Sequence, residues 1–149
     1  MDKRILTRFG LEMKGNNTFS ADNRGLQYLI RPLSGPAELA ACMELQRITW
    51  GMPEADIVPE NVLVALLDCH LPPLGAFGAT GRMLAILIGL GGVDPVSQRP
   101  ILHSHMLAVV SDLRGSGIGT IMKIAQAEMV TQLGITVIEW TVDPLRPNW

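Results

Sequence analysis

The stretch that most constrains this chain of 149 residues is 102–134, LHSHMLAVVSDLRGSGIGTIMKIAQAEMVTQLG. It opens with a β-prone run over 102–110 and a short polar turn, Ser111-Asp112-Leu113. Arg114-Gly115-Ser116-Gly117-Ile118-Gly119 follows, and then a long amphipathic segment. Strand, glycine-rich turn and helix together make an anion site. Glycines let backbone N–H groups approach a phosphate closely, and the helix N-terminus adds partial positive charge. Ile118, Ile121, Met122, Ala125, Met129 and Leu133 recur at helical spacing, which predicts one buried face. Gly134 stands just past them, where a C-terminal cap tolerates positive φ.

Spacing separates the known phosphate loops. A P-loop needs Lys-Ser/Thr after its last glycine, and here Thr120 follows Gly119 directly. A dinucleotide fingerprint needs G-x-G-x-x-G immediately after the strand, whereas this chain has G-x-G-x-G with Asp112 and Arg114 intervening. Glu139 stands where a ribose-binding acid would be expected, but with the glycines mis-spaced its position is read as coincidence. The segment 107–119, LAVVSDLRGSGIG, resembles the acetyl-CoA motif of the GNAT-type N-acetyltransferases, R/Q-x-x-G-x-G/A after a strand with an L-x-V pattern. Arg114, Gly117 and Gly119 fill its defined positions.

Composition restricts the remaining classes. The length predicts one domain with a sizeable core. Hydrophobic residues make up 48%, which is globular rather than disordered. A net charge of −2 and a pI near 5.9 give no basic footprint for nucleic acid. The longest clean apolar run, 83–90, is far too short to span a membrane, and the basic N-terminus lacks the apolar region of a signal peptide. Cys42 and Cys69 are isolated, without metal-ligand spacing, and are expected as reduced thiols on the buried sides of helices. No metal is expected, and the expected location is cytoplasmic.

Along the chain, residues 1–25 are polar, with a turn signal at Gly15-Asn16-Asn17, and are expected to form a flexible or loosely packed extension. A domain of residues 26–149 follows. A first strand is expected over 28–33, closed by its proline, Pro32. Pro36 and Glu38 suit the start of a helix whose stripe is Leu39, Cys42, Leu45 and Ile48, ended by Gly51 and Pro53. Residues 50–59 read as a surface loop. A second helix over 61–70 is apolar nearly all round and should be well covered. Strands are expected over 75–80, 83–90, 101–110 and 135–141. In the fourth of the domain's strands, simple alternation puts His103, His105, Leu107 and Val109 on one face.

This order, β-α-α-β-β-β-α-β, matches the first five strands and three helices of the GNAT-like fold, an α/β mixed sheet flanked by helices. The resemblance covers about residues 28–145, including Thr141-x-Asp143-Pro144-Leu145. The family continues with a helix and two more strands, which this chain lacks. That would leave the fifth strand as an apolar edge open to pairing, so the expectation is either a homodimer through it or a truncated chain.

The resemblance implies an N-acetyltransferase that moves an acetyl group from acetyl-CoA to a small-molecule or peptide amine by direct attack, with no nucleic acid or membrane partner. The alternative is a non-catalytic acyl-CoA-binding or interaction module derived from the same fold. The expected cofactor-binding residues are Leu107, Ala108, Val109, Arg114, Gly115, Ser116, Gly117, Ile118, Gly119 and Thr120. An amine is protonated at neutral pH and must lose a proton before it attacks. Family members place a glutamate base where this chain has His103, and a histidine can do that work. His105 lies two residues further on. Glu139 is a third candidate and Asp143 a fourth. Trp50, Trp140 and Trp149 are expected to pack or to wall a pocket, and the 50–59 loop to line the acceptor site.

Overall fold

Each strand lies beside its sequence neighbour. The computed structural model describes residues 3–141. Their order is α1 (Lys3–Arg8), β1 (Leu11–Gly15), β2 (Thr18–Asn23), β3 (Leu26–Pro32), α2 (Gly35–Trp50), a 3-10 turn (Glu54–Asp56), α3 (Glu60–Asp68), β4 (Leu74–Gly78), β5 (Met83–Val93), β6 (Pro100–Val109), a second 3-10 turn (Ser111–Leu113), α4 (Ile118–Thr131) and β7 (Val137–Glu139). One seven-stranded sheet runs β1 to β7 in order. Five of its pairs are antiparallel; β6 and β7 are parallel, joined through α4 as a parallel pair requires. From β3 onward the order is the expected β-α-α-β-β-β-α-β. Asp143, Pro144, Leu145 and Trp149 lie outside the described residues.

Helices cover both faces, so the middle strands are apolar on both sides. On one face, Ile118, Met122, Ala125 and Met129 of α4 pack with Phe19, Ile30, Leu87 and Leu102. On the other, Leu39 and Cys42 of α2 and Leu63 and Leu66 of α3 pack with Phe77, Ile86, Ile88 and Ala108. Two polar groups fix α2. At its start Glu38 accepts from the Ser34 N–H (2.7 Å) and from both guanidinium nitrogens of Arg31 (2.9 and 2.7 Å), which holds the Glu38 carboxyl below the usual range. Near its end the buried Gln46 accepts from Val58 N–H (2.7 Å) and donates to Val58 C=O (3.3 Å), anchoring the loop between α2 and α3.

Several expectations need correction. Residues 1–25 do not form a loose extension: β1 and β2 continue the sheet, and Phe19 is fully buried. Their two-residue turns, Asn16-Asn17 and Arg24-Gly25, have positive φ at both positions, the geometry tight hairpins need. Ile48 and Leu133 fall off their stripes and are exposed: Ile48 lies on the solvent side of α2, and Leu133 lies past the end of α4 at Thr131. α3 is covered on one side only, with Val62 and Val64 exposed. Cys69 is exposed at the end of α3, while Cys42 is buried. Gly134 does take positive φ (+78°), and Ile135 N–H donates back to Val130 C=O (3.1 Å).

The correction that bears on chemistry is in β6. Ile88 pairs Met106 but Gly89 pairs Ser104, so His105 is the extra residue of a bulge. Alternation resets there. Leu102 and Ser104 face α4, as do Leu107 and Val109, while His103 faces the other way.

If the N-terminal hairpin belongs to the cooperative unit, Phe19→Ala should cost about 3–5 kcal/mol in denaturant unfolding followed by circular dichroism. An unchanged midpoint would show the hairpin unfolding apart from the rest.

Candidate functional site

Among the described residues β6 and β7 pair over three positions: Ile101 with Val137, Leu102 with Ile138 and His103 with Glu139. Beyond His103 and Glu139 the strands separate. The gap is a cleft of about 790 Å³ whose walls include Leu107 and Val109 of β6, the glycine loop, Lys123 of α4, Trp140 just past β7, and Thr49 and Trp50 at the end of α2. The orientation of the β6 backbone follows from one hydrogen bond. Val110 N–H donates to Leu84 C=O on the β5 side (3.0 Å). Peptide groups alternate along a strand, so those of Leu107 and Val109 point the other way, into the cleft. A split sheet therefore presents strand-edge donors and acceptors to whatever extended chain enters it.

The glycine loop closes one end of the cleft. Gly115 (φ +75°) and Gly117 (φ +95°) sit in the left-handed region that favours glycine. A Cβ on Gly119 would lie 3.3 Å from Leu107 Cδ2, a tight contact that glycine avoids where the first turn of α4 meets β6. Gly117 caps α4 without a side-chain hydrogen bond. The N–H groups of Ile118, Gly119 and Thr120 have no carbonyl within the helix to receive them, and with the helix dipole they favour an anion.

Side chains around the loop hold its shape. Arg114 Nε reaches Val109 C=O (3.4 Å). Arg82 and Asp112 form a two-pronged pair (3.0 Å each) that ties the 111–113 turn to the start of β5. Asn23, at the end of β2, donates to Ser116 C=O (2.7 Å).

Of the ten residues read from sequence as cofactor-binding, Leu107, Val109, Arg114, Gly115, Gly117, Ile118, Gly119 and Thr120 line the cleft. Ala108 is buried against α2 and α3. Ser116 gives its N–H to Leu113 C=O (3.2 Å) and lines a smaller hollow on the hairpin side, with Arg8, Asn23 and Arg24.

His103, His105 and Glu139 stand together where the strands part. The two imidazole centroids are 6.2 Å apart, and His103 Nδ1 lies 3.7 Å from Glu139 Oε1, an ion pair only when the histidine is protonated. None of the three lines the cleft. Burial first, and then the charge of His103, hold the His105 imidazole below its ordinary value.

Sequence reading missed three cleft features. Lys123 Nζ donates to Ser104 Oγ and lies 5.0 Å from the centre of the Trp140 ring. Burial lowers the pKa of its ammonium from the ordinary value of 10.5. Ser104 in turn donates to Gln126 Oε1 (2.8 Å), and both are buried. Thr49 Oγ1, in the cleft wall, is buried with no hydrogen-bond partner among the described residues. One signal was available: Lys123 is four residues after Gly119, so both share the cleft side of α4.

No family model and no curated protein matches the sequence. Solved structures do match the fold. An aminoglycoside acetyltransferase from an uncultured soil metagenomic sample, crystallised with trehalose, superimposes with a TM-score of 0.66 at 18% identity over 78% of each chain. It has the fold of the GNAT-type N-acetyltransferases. An aminoglycoside N-acetyltransferase in complex with CoA shares this GNAT fold at TM-score 0.62 and 17% identity, over 82% of this chain and 81% of that one. Glucosamine-6-phosphate N-acetyltransferase from Arabidopsis thaliana does so at TM-score 0.59 and 11% identity, over 79% and 84%. No helix among the described residues of this GNAT-fold chain is long and apolar enough to cross a membrane.

His105 gives a pH prediction. A histidine whose folded-state pKa is depressed binds its proton more readily when unfolded. Its contribution to stability is therefore complete above the unfolded value, about 6.5, and is lost as pH falls below it. The thermal midpoint should drop from about pH 7 to about pH 5, and the drop should be shallower in His105→Gln. Equal slopes for the two proteins would rule His105 out as the source.

Proposed function

We propose that this chain is an N-acetyltransferase that accepts acetyl-CoA in the β6–β7 split and passes the acetyl group to an amine by direct attack. The observation that carries the reading is the continuity of the cleft. A glycine-walled helix N-terminus suited to a diphosphate adjoins an unpaired strand edge suited to an extended amide-bearing arm. The N–H groups of Ile118, Gly119 and Thr120 would take the diphosphate, and Leu107 and Val109 would pair with the arm as an added strand would. A backbone N–H of the same edge would polarise the thioester carbonyl.

The acceptor is a small-molecule or peptide amine. Neighbours of this fold include enzymes named for aminoglycosides and glucosamine 6-phosphate. Thr49, whose buried hydroxyl lacks a partner, and Trp50 offer a polar and an aromatic contact on the wall that faces β6. His103, His105 and Glu139 are the groups within reach of the split that can take a proton from the amine. The reading extends to a cytoplasmic setting, which suits the two free thiols. It extends also to pairing of two copies along the outer edge of β7, where Val137 is exposed. Sedimentation as a monomer at high concentration removes that pairing.

CoA should raise the thermal midpoint while NAD and ATP do not. With acetyl-CoA and a panel of amines, free thiol should appear and each acetylated amine should show the added mass. Equal stabilisation by all three nucleotides, or by none, overturns the coenzyme assignment. Stabilisation by CoA with no thiol release for any amine leaves a binding module in place of an enzyme.

A further inference from the structure

The split in the sheet has a definite apex. His103 and Glu139 are the last paired residues, so Ser104 and Trp140 are the first residues on either side of the opening. Lys123 joins those two walls: its ammonium donates to Ser104 Oγ and lies over the Trp140 ring. Its placement is built from the core outward. Ser104 can accept from the lysine because its own hydroxyl proton goes to Gln126 Oε1. Gln126 in turn fits because position 89 carries no side chain; a Cβ there would lie 2.9 Å from Gln126 Nε2. Burying a serine and a glutamine in an apolar core is costly unless each is hydrogen-bonded. Here the outcome of that arrangement is a single cation fixed at the inner end of the cleft.

Resting on the acetyl-CoA reading above, we propose that Lys123 is a catalytic residue whose ammonium receives the thiolate released when the acetyl group leaves coenzyme A. From the glycine loop, the cleft runs past Val109 and Leu107 of β6 to Lys123 and Trp140, with about 3.3 Å per residue of extended chain along that edge. An arm anchored by its diphosphate at the loop and lying along that edge carries its sulfur toward the apex, where Lys123 waits. When the amine nitrogen attacks, the N–C bond forms, the C–S bond breaks and the electron pair goes to sulfur. Lys123 donates a proton to that sulfur. The proton lost by the attacking amine returns through the solvent of the open cleft, so Lys123 ends as an ammonium again. Ser104 and Gln126 act through Lys123 and are positioning residues. Burial, which eases the departure of the lysine proton, works in the same direction.

The test needs no knowledge of the acceptor. CoA is bound to the full-length protein, and its thiol is titrated by the ultraviolet absorbance of the thiolate. In the wild type the bound thiol should titrate about one pH unit or more below free CoA, as expected for an acid beside a fixed opposite charge. In Lys123→Met, CoA should still raise the thermal midpoint, but the thiol should titrate at or above its value in solution. A wild-type bound thiol that titrates as free CoA does overturns the role of Lys123 and leaves the coenzyme assignment standing. Loss of CoA stabilisation in the wild type overturns both. An acetyl group found by mass spectrometry on Lys123 itself, after incubation with acetyl-CoA, would show the residue acting as a nucleophile and would also overturn the proposal.

Discussion

The structure depends on an interruption in hydrogen bonding. The first six strands pair antiparallel in sequence order, but β7 returns parallel to β6 and, among the described residues, stays in register for three positions. A strand edge left unpaired in the interior of a protein is unfavourable, since each N–H and C=O gives up water for nothing. The chain limits that penalty by making the edge the wall of an open cleft. Much else follows from keeping the gap open. The bulge at His105 turns Leu107 and Val109 onto the α4 side. The glycines keep the α4 N-terminus close to β6 but free of side chains. Trp140 stands opposite as the far wall.

Electrostatics in the cleft are graded from end to end. Amides with no carbonyl partner inside α4 and a helix dipole lie at the mouth, suited to fixed negative charge. A half-buried ammonium lies at the apex, suited to charge that appears during a reaction. The imidazoles and the carboxylate of Glu139 stand on the other face of the sheet at the same level. The groups proposed to accept and to donate a proton thus stand on opposite sides of the strand edge. That separation suits a transfer in which one partner loses a proton as the other gains one.

The glycine loop and the end of α4 were legible in the sequence because positive φ at Gly115, Gly117 and Gly134 is a local demand that few other residues satisfy. Strand and helix order was legible from β3 onward for the same kind of reason: runs such as 83–90 are apolar whatever surrounds them. Three things were not. The N-terminal hairpin is charged and short, and Phe19 and Ala21 are the buried pair in β2, too few to establish a period. The bulge has no side-chain signature; one extra residue moved His103 off the face that strict alternation gave it. Lys123 is one of several polar residues on α4, and its meaning depends on Ser104, nineteen residues away.

The Asn23–Ser116 contact spans ninety-three positions of sequence, whereas the six strand pairings all join consecutive strands. The hairpin pairings among them close small loops and form early, and distant contacts form late. During synthesis the sheet would grow strand by strand as the chain emerges, with its N-terminal hairpin waiting at one side. The anion loop could take its final shape only after α4 arrived and docked beside that hairpin, so ligand competence would be the last property the chain acquires.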